Sequence, residues 1–126
     1  MHKNLLGSVI AALLVLCFAM PASAKTSDWF YGRDLSAMKK IVGKDLLTKI
    51  ECRDTPKKGV SFADFEYRVT YVKNPNKIRF RWAVGNRYGP NRERAKRDGY
   101  KLVSYNYFVR AKSKLKYHCA VWHKKR

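Results

Sequence analysis

Cys52 and Cys119 constrain this chain more than any other pair of residues. Each sits in a stretch that alternates apolar with polar, the period of a half-buried strand. Leu115, Tyr117, Cys119 and Val121 alternate with Lys116, His118, Ala120 and Trp122. Leu46, Thr48, Ile50 and Cys52 alternate with Leu47, Lys49, Glu51 and Arg53. Both thiols are therefore expected on apolar faces. Whether they pair depends on the compartment, and the N-terminus speaks to that.

His2 and Lys3 make a basic start, residues 5–20 form an apolar run, and Pro21-Ala22-Ser23-Ala24 ends in a small-x-small site. This is the pattern of a secretory signal peptide cleaved after Ala24, so residues 1–24 are set apart from the fold. The alternative, an uncleaved anchor, suits the short apolar run less well. Leu16 is too bulky for the residue before a lipidated cysteine, so Cys17 is expected to leave with the signal. No second apolar run of membrane length follows. The processed chain is expected to be periplasmic or secreted and not membrane-spanning. In an oxidising compartment two remaining cysteines pair. A Cys52–Cys119 bond would contribute on the order of 4 kcal/mol through chain entropy. Pairing would also consume any catalytic thiol.

The remaining stretch, about 100 residues, suits one domain. Trp29, Phe30 and Tyr31 are expected to cover an edge of the core. Asp34 is an N-cap ahead of Leu35, Met38, Ile41 and Val42 at helical spacing, and Gly43 is a natural stop, which predicts a helix over 35–42. Alternation predicts strands over 46–52, 65–71 and 78–84, with a loop over 54–61. Asn74-Pro75-Asn76 is expected to join the latter two strands as a hairpin. Asn91 can cap a short helix over 92–98 that ends at Gly99. Ala95 is its only small apolar residue, so it is either marginal or held by Tyr88 and Tyr100. A closing hairpin follows, 100–110 and 115–123, turning at Ala111-Lys112-Ser113-Lys114, with a frayed tail at 124–126. On its first strand Tyr105 and Tyr107 share one face, Leu102 and Phe108 the other. Residues 77–84 match 114–121 in the order base, apolar, base, aromatic, base or His, core residue, Ala, Val, which suggests an internal repeat of two helix-plus-hairpin halves. The expected fold is a single α+β domain over 25–126. It has an antiparallel sheet of about five strands, two helices on one side and one disulfide.

The run Arg92-Glu93-Arg94-Ala95-Lys96-Arg97-Asp98-Gly99-Tyr100-Lys101-Leu102-Val103-Ser104, continued by Tyr117-His118-Cys119-Ala120-Val121-Trp122, resembles one unit of a bacterial tandem repeat. That repeat occurs in secreted polyglycine-hydrolase-like proteins: a short helix, Gly-Tyr-basic-Leu-Val-Ser, then a strand ending in Ala-Val-Trp. In that family the repeats are accessory, and a separate serine-hydrolase domain carries the chemistry. The resemblance covers roughly the last third of the chain. It implies a fold unit and a binding role, and it transfers no catalytic residue.

Charge then narrows the function. Residues 25–126 carry 27 Lys and Arg against 9 Asp and Glu, a net of +18. The C-terminal part, residues 86–126, holds 13 against 2. Such self-repulsion opposes compactness, and an anionic polymer or anionic envelope surface as partner gives it a purpose. Arg79, Arg81, Arg87, Arg92, Arg94, Lys96 and Arg97 are the expected anion-binding residues, with nearby tyrosines offering stacking. The expected role is a non-catalytic module for nucleic acid, envelope glycolipid or acidic polysaccharide. Two alternatives stand beside it. One is a small nuclease using His118 or His123 with Asp64 or Glu66. The other is a structural or interaction protein in which charge serves solubility alone. His118 and His123, five apart on one strand, point to opposite faces and cannot share a ligand. No zinc spacing, Cys-x-x-Cys, nucleophile elbow around Ser61, Ser104 or Ser113, or phosphate loop occurs, so no metal or cofactor is expected.

Overall fold

The computed structural model describes residues 23–32, 35–55 and 65–126. Asp34, Ser61, Asp64, Cys17, most of the 54–61 loop and nearly all of the expected signal segment lie outside the described residues. Seven antiparallel strands and two helices make up the described part. They are β1 (Lys25–Thr26), β2 (Phe30–Tyr31), α1 (Leu35–Val42), β3 (Leu46–Asp54), β4 (Phe65–Val72), β5 (Arg79–Gly85), α2 (Tyr88–Arg97), β6 (Lys101–Val109) and β7 (Lys116–Lys124). The architecture is mostly β with some helix, of α+β type.

The strands divide into two sheets where one of about five strands was expected. In the first, β4 is central and pairs β1, β2 and β3. In the second, the order is β5-β7-β6. The expected hairpin of 65–71 with 78–84 is therefore not formed: β4 and β5 lie in different sheets. At the turn, the Asn74 amide donates to the Ile78 carbonyl and its oxygen accepts from the Ile78 N–H, at 3.0 and 2.9 Å. That clasp carries the chain from one sheet to the other. The gain is burial on both sides of one core. Phe65, Tyr67 and Val69 enter it from β4, and Phe80, Trp82 and Val84 flank it from β5.

Two bulges decide side-chain directions that simple alternation gets wrong. The register shifts between Leu47 and Lys49, so Leu47 turns inward and is fully buried beside Ile50 and Cys52. It shifts again between Leu102 and Ser104, so Leu102 shares the outer face with Trp122 and Tyr105 instead of the inner face with Phe108. A bulge adds one residue to one strand and so inverts the facing of everything before it. Leu115, expected inside, lies before the start of β7 and is 45% exposed.

The core holds Met38 and Val42 of α1, Leu47, Ile50 and Cys52 of β3, the β4 trio, and Tyr117, Cys119 and Val121 of β7. The Cys52–Cys119 disulfide joins the sheets through it, with Cα atoms 6.1 Å apart. Beside the bond, Asn106 acts as a short piece of strand. Its amide donates to the Ile50 carbonyl and its oxygen accepts from the Cys52 N–H at 3.1 Å. Asp54 tethers the closing turn: its carboxylate accepts from the Ala111 N–H at 2.9 Å and faces the buried Arg110 guanidinium at 3.4 Å.

The helices take opposite faces of the second sheet, not one side as expected. α1 packs into the inter-sheet core. α2 lies on the outer face, where Ala95 meets Ala83, Ala120 and Trp122. Tyr88 and Tyr100 pack against the same cluster, so the connector aromatics do hold this helix. It starts at Tyr88, earlier than expected, with Arg87 as N-cap and no side-chain cap. Pro90 falls in the first turn, where its missing N–H is no loss. The Asn91 amide reaches back to the Arg87 carbonyl at 2.9 Å. Gly99, at φ +82°, ends the helix, with Tyr100 N–H donating to the Ala95 carbonyl at 2.9 Å.

The two matching octapeptides become neighbouring strands, β7 and β5, and each is headed by a lysine with positive φ: Lys77 at 51° and Lys114 at 59°. Their surroundings differ. β6 and β7 form a hairpin, whereas β4 and β5 do not.

Candidate anion-binding surface

Alternation on β5 sends Phe80, Trp82 and Val84 to the core, which leaves Arg79 and Arg81 on the outer face. α2 lies over the same face and carries Arg92, Arg94, Lys96 and Arg97, all exposed, with Arg87 at its start. All seven expected basic residues thus stand on the outer side of the second sheet. Around the C-terminal end of α2, Arg79, Arg81, Arg97 and Lys124 line an open groove of about 630 Å³ with Tyr100 as an aromatic wall. Arg94 and Arg81 line a neighbouring groove of about 460 Å³ with Trp82 and Trp122.

Two acids interrupt this field, Glu93 beside Arg92 at 3.4 Å and Asp98 at the grooves. Asp98 accepts from Arg81 at 2.6 Å, and Arg81 also stacks over Tyr100 at 4.4 Å. The Arg81 guanidinium, followed by the charges of Arg97 and Lys124, holds the Asp98 carboxyl below its ordinary value. Arg81 is correspondingly raised. The Lys124 ammonium donates to the Asp98 carbonyl at 2.8 Å. Lys124 is thus an ordered groove residue, where a frayed tail was expected. The outward alternation of Ala120 and Trp122, carried one step further, is the signal that finds it.

At the other end of α2, rings replace charge. Tyr88 stacks on His118 with centroids 4.9 Å apart and lies under Arg92 at 5.8 Å. Tyr105 meets His118 Nδ1 through its hydroxyl at 2.6 Å. Burial, then the Lys116 charge, lowers the His118 pKa from 6.5. His123 points the other way, as expected, and its Nε2 lies 2.7 Å from the Leu47 carbonyl between the sheets.

Glu66 does not join either histidine. It lies on the outer side of the first sheet and pairs with Arg53 at 2.8 Å. Asp64 lies outside the described residues. Among the described residues no group of three or more His, Cys, Asp and Glu side chains could hold a metal ion. No helix of the described residues is long and apolar enough to cross a membrane. The disulfide is consistent with an extracytoplasmic location. No protein-family model, curated protein or solved structure matches the chain.

Proposed function

We propose that this chain is an exported, non-catalytic module that holds an anionic polymer against α2 and the outer face of β5. The observation that carries the reading is the shared placement of Arg79, Arg87, Arg92, Arg94, Lys96 and Arg97 on one side, six cations set among the described residues against Glu93, 3.4 Å from Arg92, and Asp98, which feels the Arg97 charge. Guanidinium groups match phosphate, sulfate or carboxylate oxygens in pairs. Tyr100, half-buried beside the first groove, adds a surface for a flat ring. The likeness of residues 92–122 to an accessory repeat supports binding over catalysis, and the basic–apolar–small N-terminus supports export.

The test is binding of the processed chain to a DNA oligonucleotide, heparin and lipopolysaccharide across a salt series. The expected log–log slope with DNA is about −3 to −5. Arg92→Glu with Arg94→Glu should weaken binding by roughly tenfold or more and flatten the slope by about 2. Unchanged affinity in that double variant rules this surface out. A nuclease assay in the same tubes should show no turnover.

A further inference from the structure

A second surface lies beside the first and differs from it in chemistry. α2 packs on β5 and β7 and meets β6 where the Tyr88 ring lies 4.8 Å from that of Tyr105; beyond that contact Tyr107 and Val109 of β6 stay open to solvent. Among the described residues seven large apolar or aromatic side chains are exposed, and six of them are on the β6–β7 hairpin. Leu102, Tyr105, Tyr107 and Val109 share the outer face of β6, and Val103 at the bulge and Leu115 at the turn are exposed as well. Tyr107 and Val109 are each 53% exposed. Contiguous apolar exposure of this kind marks an interaction site.

The rim of the patch is lysine. Lys116 places its ammonium over the Tyr107 ring at 3.8 Å, and Lys112 and Lys114 sit in the adjoining turn. Residues 99–126 carry eight Lys and Arg and no Asp or Glu. A second copy of the chain is a poor occupant, because the two faces would meet with like charges. Nucleic acid satisfies the lysines but has no use for exposed Leu102, Val103, Val109 and Leu115. An occupant that is both acyl-rich and negatively charged satisfies the whole set. We infer that the β6–β7 hairpin docks on the surface of an anionic lipid bilayer. The aliphatic side chains enter the headgroup boundary, the tyrosines sit at its polar edge, and the lysines extend their stems along the apolar surface to reach lipid phosphates. This surface is independent of the α2 grooves.

The test uses chain purified from an exporting host, its N-terminus read by mass spectrometry, and co-sedimentation with vesicles. Partition is expected onto phosphatidylcholine vesicles containing phosphatidylglycerol and not onto phosphatidylcholine alone. Tyr107→Ser with Val109→Ser should cut it by about tenfold. Lys112→Glu with Lys116→Glu should cut it at least as far. Val109→Lys separates the causes: charge alone predicts tighter binding, whereas apolar docking predicts weaker. Circular dichroism and an intact disulfide confirm folding of each variant. Tighter binding by Val109→Lys, equal binding to neutral vesicles, or a dimer abolished by the same substitutions would each overturn the inference. So would an equal loss with Arg92→Glu and Arg94→Glu, which would reduce the effect to net charge.

Discussion

The two sheets turn outward faces to solvent that use the same residue type in opposite ways. On the first sheet the outward cations meet acids. Arg53 pairs with Glu66, and Arg68 with Glu51 at 2.6 Å. Lys49 also reaches Glu51, at 3.6 Å. Trp29 fills the space between the guanidinium groups, with Arg53 at 3.9 Å and Arg68 at 4.8 Å from its ring. The Arg68 hydrogen bond is the main reason that Glu51 titrates below its ordinary value. On the second sheet and α2, the only ion pairs found among the described residues are Arg81–Asp98 and Arg92–Glu93. The lesson is that arginine content alone does not distinguish the two faces; pairing with acids does. The first face is a cross-strand ladder that serves the fold. On the second, the proposed reading gives the field to the anionic polymer.

The largest expected effect concerns what holds the faces back to back. Cys52→Ala with Cys119→Ala removes the tie across 67 residues and should cost about 4 kcal/mol of stability, read as a lower denaturation midpoint. Both faces should fail together, and polyanion binding should fall only in proportion to the unfolded fraction. Next, Asp98→Asn frees Arg81 and removes the acid from the groove. Affinity for the DNA oligonucleotide should rise severalfold; a fall would mean that the pair shapes the groove instead of muting it. The third expectation addresses the paired face. Arg53→Ala and Arg68→Ala should each lower the denaturation midpoint only slightly, since both pairs are solvent-screened. Binding should stay within about twofold, in contrast to substitutions on α2. A comparable loss of binding from either would erase the distinction between the faces.

The smallest effect is one of pH. Burial holds His118 below its ordinary value, so between the two values the unfolded chain binds more protons than the folded one. Stability should therefore decline as pH falls through 6.5, the ordinary value, and level off once the folded-state value is passed. His118→Gln should remove that step from a denaturation series. If the step persists, its source lies elsewhere.

Much of the secondary structure was legible because alternation and glycine stops are local signals. Strands 46–52 and 65–71, helix 35–42 and the closing hairpin all emerge from short-range pattern, and the disulfide from two inward-facing cysteines read together with the N-terminal export pattern. The basic cluster was legible too, since residues 87–97 are close in sequence. Three things were not. The pairing of β4 with β3 and not with β5 depends on which arrangement buries both apolar faces, and a six-residue turn permits either. The directions of Leu47 and Leu102 depend on bulges that no local residue announces. Asn106 reads as an ordinary polar strand residue, and only the approach of β3 makes it a clasp.

By itself, then, the order of residues determined which strands would have one oily side, that two sulfurs would lie on such sides, and that positive charge would crowd the C-terminal third. Those properties follow from the pleat and from composition, which need no partner. Only the tertiary structure decided that the oily sides would close on each other as two layers and that α2 would cover half of one outer face. It thereby set which cations found an acid and which remained free. Such choices rest on contacts between residues far apart in the chain, where the free energy of burying two surfaces together outweighs any preference either segment has alone.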